Sequence, residues 1–294
     1  MKIIANPKAG HGRGLKSLAR LHTLLKHRRI DYELVETQHP GHATELARQF
    51  ADSGALQVVV MGGDGTIGEV IDGIVQSETG LGVLSVGTGN DLARSLGLPY
   101  NNLEQALAVV LSGTPRAIDV GWERDRHFIS CLGLGFPAMV ASESNKMKWL
   151  KGPAAFFAAV YKALYHMQSI PMHLTLDEEA FELECTSVLV QNTPYTGGGL
   201  HMAPQAKMDD GYFDVVVVQG ISKLDFMLNF PKVYTGNHLE HPSFSVYRTR
   251  SIKIDSPVSL KKMFDGDICG TPPVHAKVLP QRVKITVPLN RRRF

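Results

Sequence analysis

Val58-Val59-Val60-Met61-Gly62-Gly63-Asp64-Gly65-Thr66 is the stretch that decides the fold. Its apolar run reads as a buried strand. Beyond it Ile67, Val70, Ile71 and Ile74 fall at i, i+3, i+4 and i+7, the spacing of one helix face. A glycine-rich turn therefore joins a strand to a helix N-terminus. Glycines let backbone N–H groups approach an anion, and the helix end adds positive dipole character. An acid at the centre of such a turn would repel a bare phosphate. It is explained if a divalent cation sits between Asp64 and the phosphates. Taken alone, the same residues also suit a tight turn.

Outward from this point, strand and helix alternate. Residues 2–6, 32–36, 56–61 and 83–86 read as strands. Leu18, Leu21 and Leu25 mark one helix face, and Ala43, Leu46, Ala47 and Phe50 another. Further helices are expected over 90–97 and 102–112. This order predicts a Rossmann-like α/β domain with a mostly parallel sheet, whose ligands bind beyond the carboxyl ends of its strands. After Pro115 short strand-like segments dominate, at 117–123, 127–132, 172–177, 181–190, 213–218, 244–255 and 258–264. They predict a β-rich second domain, with helices near 153–167 and 222–230. A last alternating strand over 282–287 suits either domain.

The composition agrees with a folded, two-domain chain. Of 294 residues, 44% are apolar and 20% charged, which excludes wholesale disorder. A net charge of +3 gives no argument for nucleic acid. Three cysteines, Cys131, Cys185 and Cys269, have no metal-ligand spacing and suit a reducing cytosol. No secretory signal and no transmembrane segment is expected, so membrane contact would be peripheral.

Four further segments carry chemistry. Asn6-Pro7-Lys8-Ala9-Gly10-His11-Gly12-Arg13-Gly14 follows the first strand and is either an ordinary strand-to-helix loop or, with its glycines and two cations, a phosphate contact. Gly87-Thr88-Gly89-Asn90-Asp91-Leu92-Ala93-Arg94 follows the fourth, and Asp91 is also a candidate helix cap. Three polar glycine-rich loops would thus share one edge of one sheet. Lys207-Met208-Asp209-Asp210-Gly211-Tyr212-Phe213-Asp214 is either a plain Asp-Gly turn or an acidic turn with hard-cation donors. Phe264-Asp265-Gly266-Asp267 is either a hairpin turn or, if extended, a pair of carboxylates on one side.

In this order the motifs resemble the bacterial diacylglycerol-kinase-like lipid kinases, whose catalytic domain is related to that of sphingosine kinases. The likeness runs from residue 3 to about 287. It implies a phosphofructokinase-like nucleotide domain, 1–116 with 288–294, and a β-sandwich lipid-substrate domain over 117–287. It implies ATP contacts at Asn6, Pro7, Lys8, Ala9, Gly10, Thr37, Gly62, Gly63, Asp64, Gly65, Thr66, Glu69, Thr88 and Asn90. It implies Asp265 as general base with Asp267 beside it, and Asp64 helping to place Mg2+ on the phosphates. A structural Mg2+ would be held by Asp210 and the carbonyls of Lys207 and Tyr212. The family usually has Asp-Gly-Glu where this chain has Asp267, one methylene shorter. The implied protein is a cytoplasmic enzyme meeting a lipid substrate at the membrane surface. An apolar stretch from Trp149 to Met167 would wall an acyl pocket or pack a core. The alternatives are an NAD- or sugar-phosphate-type kinase, or a non-catalytic nucleotide- or lipid-binding relative.

Overall fold

The computed structural model describes residues 1–147 and 153–289. The chain forms two compact units, Met1–Val120 with the chain from Pro280 onward, and Gly121–Leu279.

In the first unit the elements are β1 (Lys2–Ala5), α1 (Arg13–His27), β2 (Glu33–Glu36), α2 (His42–Asp52), β3 (Gln57–Gly62), α3 (Asp64–Ile74), β4 (Gly80–Ser85), α4 (Asp91–Leu96) and α5 (Leu103–Ser112). Strands β2, β1, β3 and β4 lie side by side and parallel. Beyond their half-buried first residues, β1, β3 and β4 are buried and, Ser85 apart, without polar side chains, as strands covered on both faces must be. Leu18, Leu21 and Leu25 of α1 pack with Leu107 and Val110 of α5 against Ile3, Val59 and Leu84. Each such buried aliphatic contributes about 1.5–3 kcal/mol relative to exposure. α2 and α3 pack so closely at Gly73 that a Cβ there would lie 2.5 Å from the Thr44 carbonyl.

The second unit holds the C-terminal part of β5 (Thr114–Glu123), then β6 (Arg126–Phe128), β7 (Cys131–Gly135), α6 (Phe136–Lys146), α7 (Pro153–His166), β8 (Ile170–Leu176), β9 (Glu179–Gln191), β10 (Phe213–Gln219), α8 (Lys223–Asn229), β11 (Phe244–Thr249), β12 (Ser251–Asp255), β13 (Lys262–Phe264) and β14 (Asp267–Ile268). β9 belongs to two layers. Its first half pairs with β8, and its second half pairs with β7 and β10. The layers close on a core of Phe128, Leu134, Leu174, Val188, Val215 and Ile254, among others. The fold is thus an α/β domain with parallel strands and a β-sandwich-like domain.

The sequence reading differs in several places; the strand expected over 127–132 is split into β6 and β7, and that over 258–264 is confined to β13. It missed α6, whose start follows a left-handed Gly135 and carries Pro137 in the first turn. It expected one strand over 244–255, but the chain breaks at Arg250 between β11 and β12. It also began the last strand at 282, whereas β15 (Val274–Val287) starts earlier. Val274, Ala276 and Val278 continue the alternation, but Pro280 and a left-handed Gln281 interrupt the pattern. The chain re-enters the first unit at Pro280, inside β15 and before residue 288.

One buried histidine makes a testable pH dependence. His238 lies edge-on to Phe244, its Nε2 3.2 Å from the Met202 carbonyl, and burial lowers it to about 4. The unfolded chain therefore binds a proton that the folded chain refuses between about pH 4 and 6.5, and stability rises with pH across that window. Thermal melts of His238→Gln should show a flatter rise than the wild type over the same range. Equal slopes would assign the dependence to other groups.

Candidate active site

The first-unit site is built on the carboxyl ends of β1, β3 and β4. The loop after β1 turns through Gly10, where a Cβ would lie 2.2 Å from the Val86 carbonyl. Gly87 approaches Gly63 as closely, with 2.7 Å between a Cβ on the former and the Cα of the latter. No side chain fits between these loops, so the glycines fix their mutual positions. Asn6 Nδ2 donates to Thr66 Oγ1 at 2.8 Å, tying the first loop to the second. Arg13 Nη2 donates to the Gly87 carbonyl at 2.6 Å, and Arg13 Nε to that of Gly10 at 3.2 Å. Arg13, read as a phosphate contact, therefore also staples the first loop to the third.

Beside the first and second loops lies a cavity of about 330 Å³, lined by Asn6, Lys8, Ala9, Thr37, Gly63, Gly65, Thr66 and Glu69 together with Gln38, His39 and Pro40 from the loop after β2. Its volume falls at the lower end of small-molecule sites. Gly65 is exposed, and a Cβ there would meet nothing within 4 Å. The first intrahelical bond of α3 runs from Ile67 N to Gly63 O, so the N–H groups of the preceding turn point out of the helix. Pro7, Gly10, Gly62, Asp64, Thr88 and Asn90, also expected at the nucleotide, do not line it. Gln38, His39 and Pro40 belong to no motif, and only their place after β2 foretells them.

Asp64 and Glu69 have structural partners that the sequence did not reveal. The Asp64 carboxylate accepts the Leu92 N–H at 3.3 Å, at the N-terminus of α4. Asn90, the residue before α4, is left-handed and does not cap the helix, so Asp64 does so from another loop. Burial raises the Asp64 carboxyl above its ordinary value, and the backbone N–H groups of Leu92, Asn90 and Asp91 only partly offset this. Glu69 accepts the N–H groups of Gly41 and Ala43 at 3.0 and 3.2 Å, capping α2 in the same fashion.

At the cavity rim His39, His42 and Glu45 bring one donor atom each to within 4.8 Å of one another. The two rings are stacked at an interplanar angle of 18°, and His42 Nδ1 accepts the Gln38 N–H. Their in-plane lone pairs lie in nearly parallel planes, which argues against one shared ion.

In the second unit the Phe264–Asp267 segment is not extended. Asp265 and Gly266 have φ of 48° and 94°, and Phe264 pairs with Asp267 across a two-residue turn. The two acids therefore do not share one strand face. Asp265 Oδ1 accepts the N–H groups of Ser130 and Cys131 at 2.8 and 2.9 Å, and Oδ2 that of Ile129 at 2.8 Å. Asp267 is exposed on β14. Beside them Lys262 Nζ lies 3.0 Å from both carboxylate oxygens of Glu123, a buried ion pair.

The acidic turn fits a hard cation. Asp210 Oδ1 accepts the Tyr212 N–H at 3.1 Å, and Oδ2 meets Arg248 at 2.5 Å. Asp214 Oδ2 is buried with no hydrogen-bond partner, and burial pushes its carboxyl up to about 6. An unpartnered buried carboxylate oxygen beside a second carboxylate and turn carbonyls is the donor set that Mg2+ prefers. If Asp210 binds such an ion, magnesium should raise the melting temperature of the wild type more than that of Asp210→Ala. Equal shifts in the two proteins would reduce the segment to a turn.

Of the sequence-expected stretch Trp149–Met167, Trp149 and Leu150 lie outside the described residues. Val160, Leu164 and Met167 pack into a core with Phe136 and Phe226, and Phe156 lies against it. Cys131 and Cys185 are buried, Cys269 is half-buried, and none of the three is in a disulfide. No helix among the described residues is long and apolar enough to cross a membrane.

A parallel α/β domain with three glycine loops at one sheet edge, followed by a β-sandwich-like domain, defines a class. The profile of the diacylglycerol kinase catalytic domain matches residues 1–122, and that of the YegS C-terminal NAD kinase beta sandwich-like domain matches 130–287. The chain belongs to the family that joins these two domains. Among its relatives is a diacylglycerol kinase of Mycobacterium tuberculosis (strain ATCC 25618 / H37Rv), 28% identical over 97% of this chain and 94% of the relative. Another is a diacylglycerol kinase of Staphylococcus epidermidis, 29% identical over 98% of this chain and 92% of the relative. The crystal structure of a diacylglycerol kinase from Bacillus anthracis str. Sterne shares the fold, with a TM-score of 0.74 at 24% identity over 98% of this chain and 96% of that one. The family supports a lipid-kinase-like function.

Proposed function

We propose that this protein transfers the γ-phosphate of ATP to a hydroxyl group of a diacylglycerol-like lipid. The observation that carries the reading is the cavity at the N-terminus of α3, lined by the glycine loops after β1 and β3 together with the loop after β2. Lys8 and the N–H groups of the first turn of α3 would meet the phosphates, and Asn6 and Thr66 hold that wall in place. Mg2+ would neutralise phosphate charge, with Asp64 close to it, and a second Mg2+ would be structural at Asp210 and the Lys207 and Tyr212 carbonyls.

In the reaction the lipid oxygen forms a bond to the γ-phosphorus. The bond from that phosphorus to the β–γ bridging oxygen breaks, and ADP leaves with the electron pair. The hydroxyl proton would pass to Asp265. Three backbone N–H groups orient the Asp265 carboxylate for this role.

ATP-dependent transfer of radiolabel to a lipid extract tests the proposal. Label in soluble acceptors instead favours an NAD- or sugar-phosphate-type kinase, and nucleotide binding without transfer favours a non-catalytic relative. Gly65→Ala offers a finer test. Its backbone is not left-handed and a Cβ meets no protein atom, so the fold should be unharmed or stabilised by up to about 1 kcal/mol. The added methyl enters the cavity, and nucleotide affinity should fall at least about tenfold. Unchanged affinity would place the phosphates elsewhere.

A further inference from the structure

β13 and β14 are three and two residues long, and β14 stands at the edge of its sheet. A hairpin this short has little stability of its own. Asp265 sits at its tip in the left-handed region, beside a left-handed Gly266. Where the Asp265 carboxylate stands therefore depends on what ties the hairpin down. β13 pairs with β7, and the Phe264 ring packs on that of Phe128. A second tie runs to the hairpin of β5 and β6. Glu123 ends β5 and lies opposite Arg126, the first residue of β6. The Glu123 carboxylate takes the Lys262 ammonium between its two oxygens, both at 3.0 Å, and the two side chains are only 3% and 7% exposed. Arg126 donates to the Cys269 sulfur just past β14. From β6 the chain runs on into Ile129, Ser130 and Cys131, whose N–H groups hold Asp265. The same two hairpins are thus joined twice, by backbone donors at the tip and by charge at the base.

We propose that Glu123 and Lys262 are positioning residues for Asp265. The inference rests on the reading of Asp265 as the base, and names what sets its place. Stability does not account for the pair. Exchange of a buried ion pair for apolar side chains of similar volume is often neutral or stabilising. Geometry does account for it. Apolar contact, such as that of Phe264, is non-directional and tolerates sliding. Two charge-assisted hydrogen bonds from one ammonium to one carboxylate fix distance and direction together. Arg124 also approaches Glu123, at 3.5 Å from the exposed side, but it belongs to the turn after β5 and ties nothing to β13. Lys262 opens the short strand that ends just before Asp265, so a shift at its position carries to the tip. Misplacement of a reacting group by about 1 Å can cost about a hundredfold in rate.

The test is the double variant Lys262→Met with Glu123→Leu, which replaces the pair by apolar side chains of similar length. Its melting temperature should equal or exceed that of the wild type. Phosphorylation of dissolved dihexanoylglycerol should still lose at least about tenfold in kcat, with ATP affinity within a few-fold of wild type. Amide hydrogen exchange at Ser130 and Cys131 should be faster by about tenfold or more, because Asp265 no longer stays on their N–H groups. Glu123→Gln keeps an oxygen for the ammonium, and its kcat should stay within about threefold of wild type. The assignment is overturned if the double variant keeps its kcat, or loses it with exchange at Ser130 and Cys131 unchanged. It is equally overturned if Glu123→Gln falls as far as the double variant. A double variant that melts far below the wild type also overturns it, since the pair would then serve stability. Failure of the kinase reading has a separate mark: the wild type phosphorylates no glycerolipid, yet exchange at Ser130 and Cys131 rises in the double variant and not in Glu123→Gln.

Discussion

Asp265→Asn is expected to damage the protein twice, and the two effects separate. An asparagine offers one acceptor oxygen where Asp265 uses two, and its amide donors would face a backbone N–H. Hydrogen bonds to a charged group are worth about 1.5–3 kcal/mol each. We expect a loss of about 3 kcal/mol, seen as a melting temperature lower by roughly 6–12 °C. Well below that temperature, lipid phosphorylation should still fall by about a hundredfold or more through loss of the base. ATP affinity should stay within a few-fold, because the cavity proposed for the nucleotide is lined by first-unit residues alone. A destabilised variant that keeps its turnover would leave Asp265 as an anchor for the chain at 129–131 and nothing more. Equal losses of ATP binding and catalysis would make Asp265 part of the nucleotide site. Asp267 is exposed beside the turn, so Asp267→Glu should fold normally and keep or raise activity.

The second large effect concerns Asp64. An asparagine there still presents an oxygen to the Leu92 N–H, so α4 keeps its cap. Burial raises the carboxyl, which means that the charged form opposes folding. Wild-type stability contributed by this group therefore falls as pH rises from 3.8 through the raised folded value, and a bound cation offsets the fall. At neutral pH without magnesium, Asp64→Asn should melt no lower than the wild type. Turnover should drop at least about a hundredfold, since the charge that places the metal is gone. A well-folded variant with near-normal phosphoryl transfer would reduce Asp64 to a helix cap.

The parts of this protein that were legible in its sequence are those whose signals are local. β3 and α3 were readable because apolar run, glycines and helical spacing stand next to one another. The three glycine loops were readable because strand order places them at one edge. What stayed hidden depends on partners distant in the chain. Asp64 and Glu69 cap helices to which they do not belong, and Asp265 is held by backbone more than a hundred residues away. Such contacts leave no periodicity. β15 was cut short in the reading because Pro280 and Gln281 look like a strand end, yet Gln281 N–H donates to Asp119 Oδ1 at 2.7 Å and the strand continues.

The course of β15 has a practical consequence for dividing the molecule. Both crossings between the units run through strands, β5 at Val120 and β15 at Pro280, rather than through a linker. A fragment ending at residue 120 would lose the partner that Ile285 gives Leu81, and β4 would become a bare parallel edge. A fragment starting at residue 121 would keep the pairing of the β5 tail with β6 but lose the rest of that strand. Neither half can be excised as a self-contained cassette. Fusion tags, nicks and circular permutations therefore belong in surface turns inside one unit, and chimeras with relatives require two junctions matched in register.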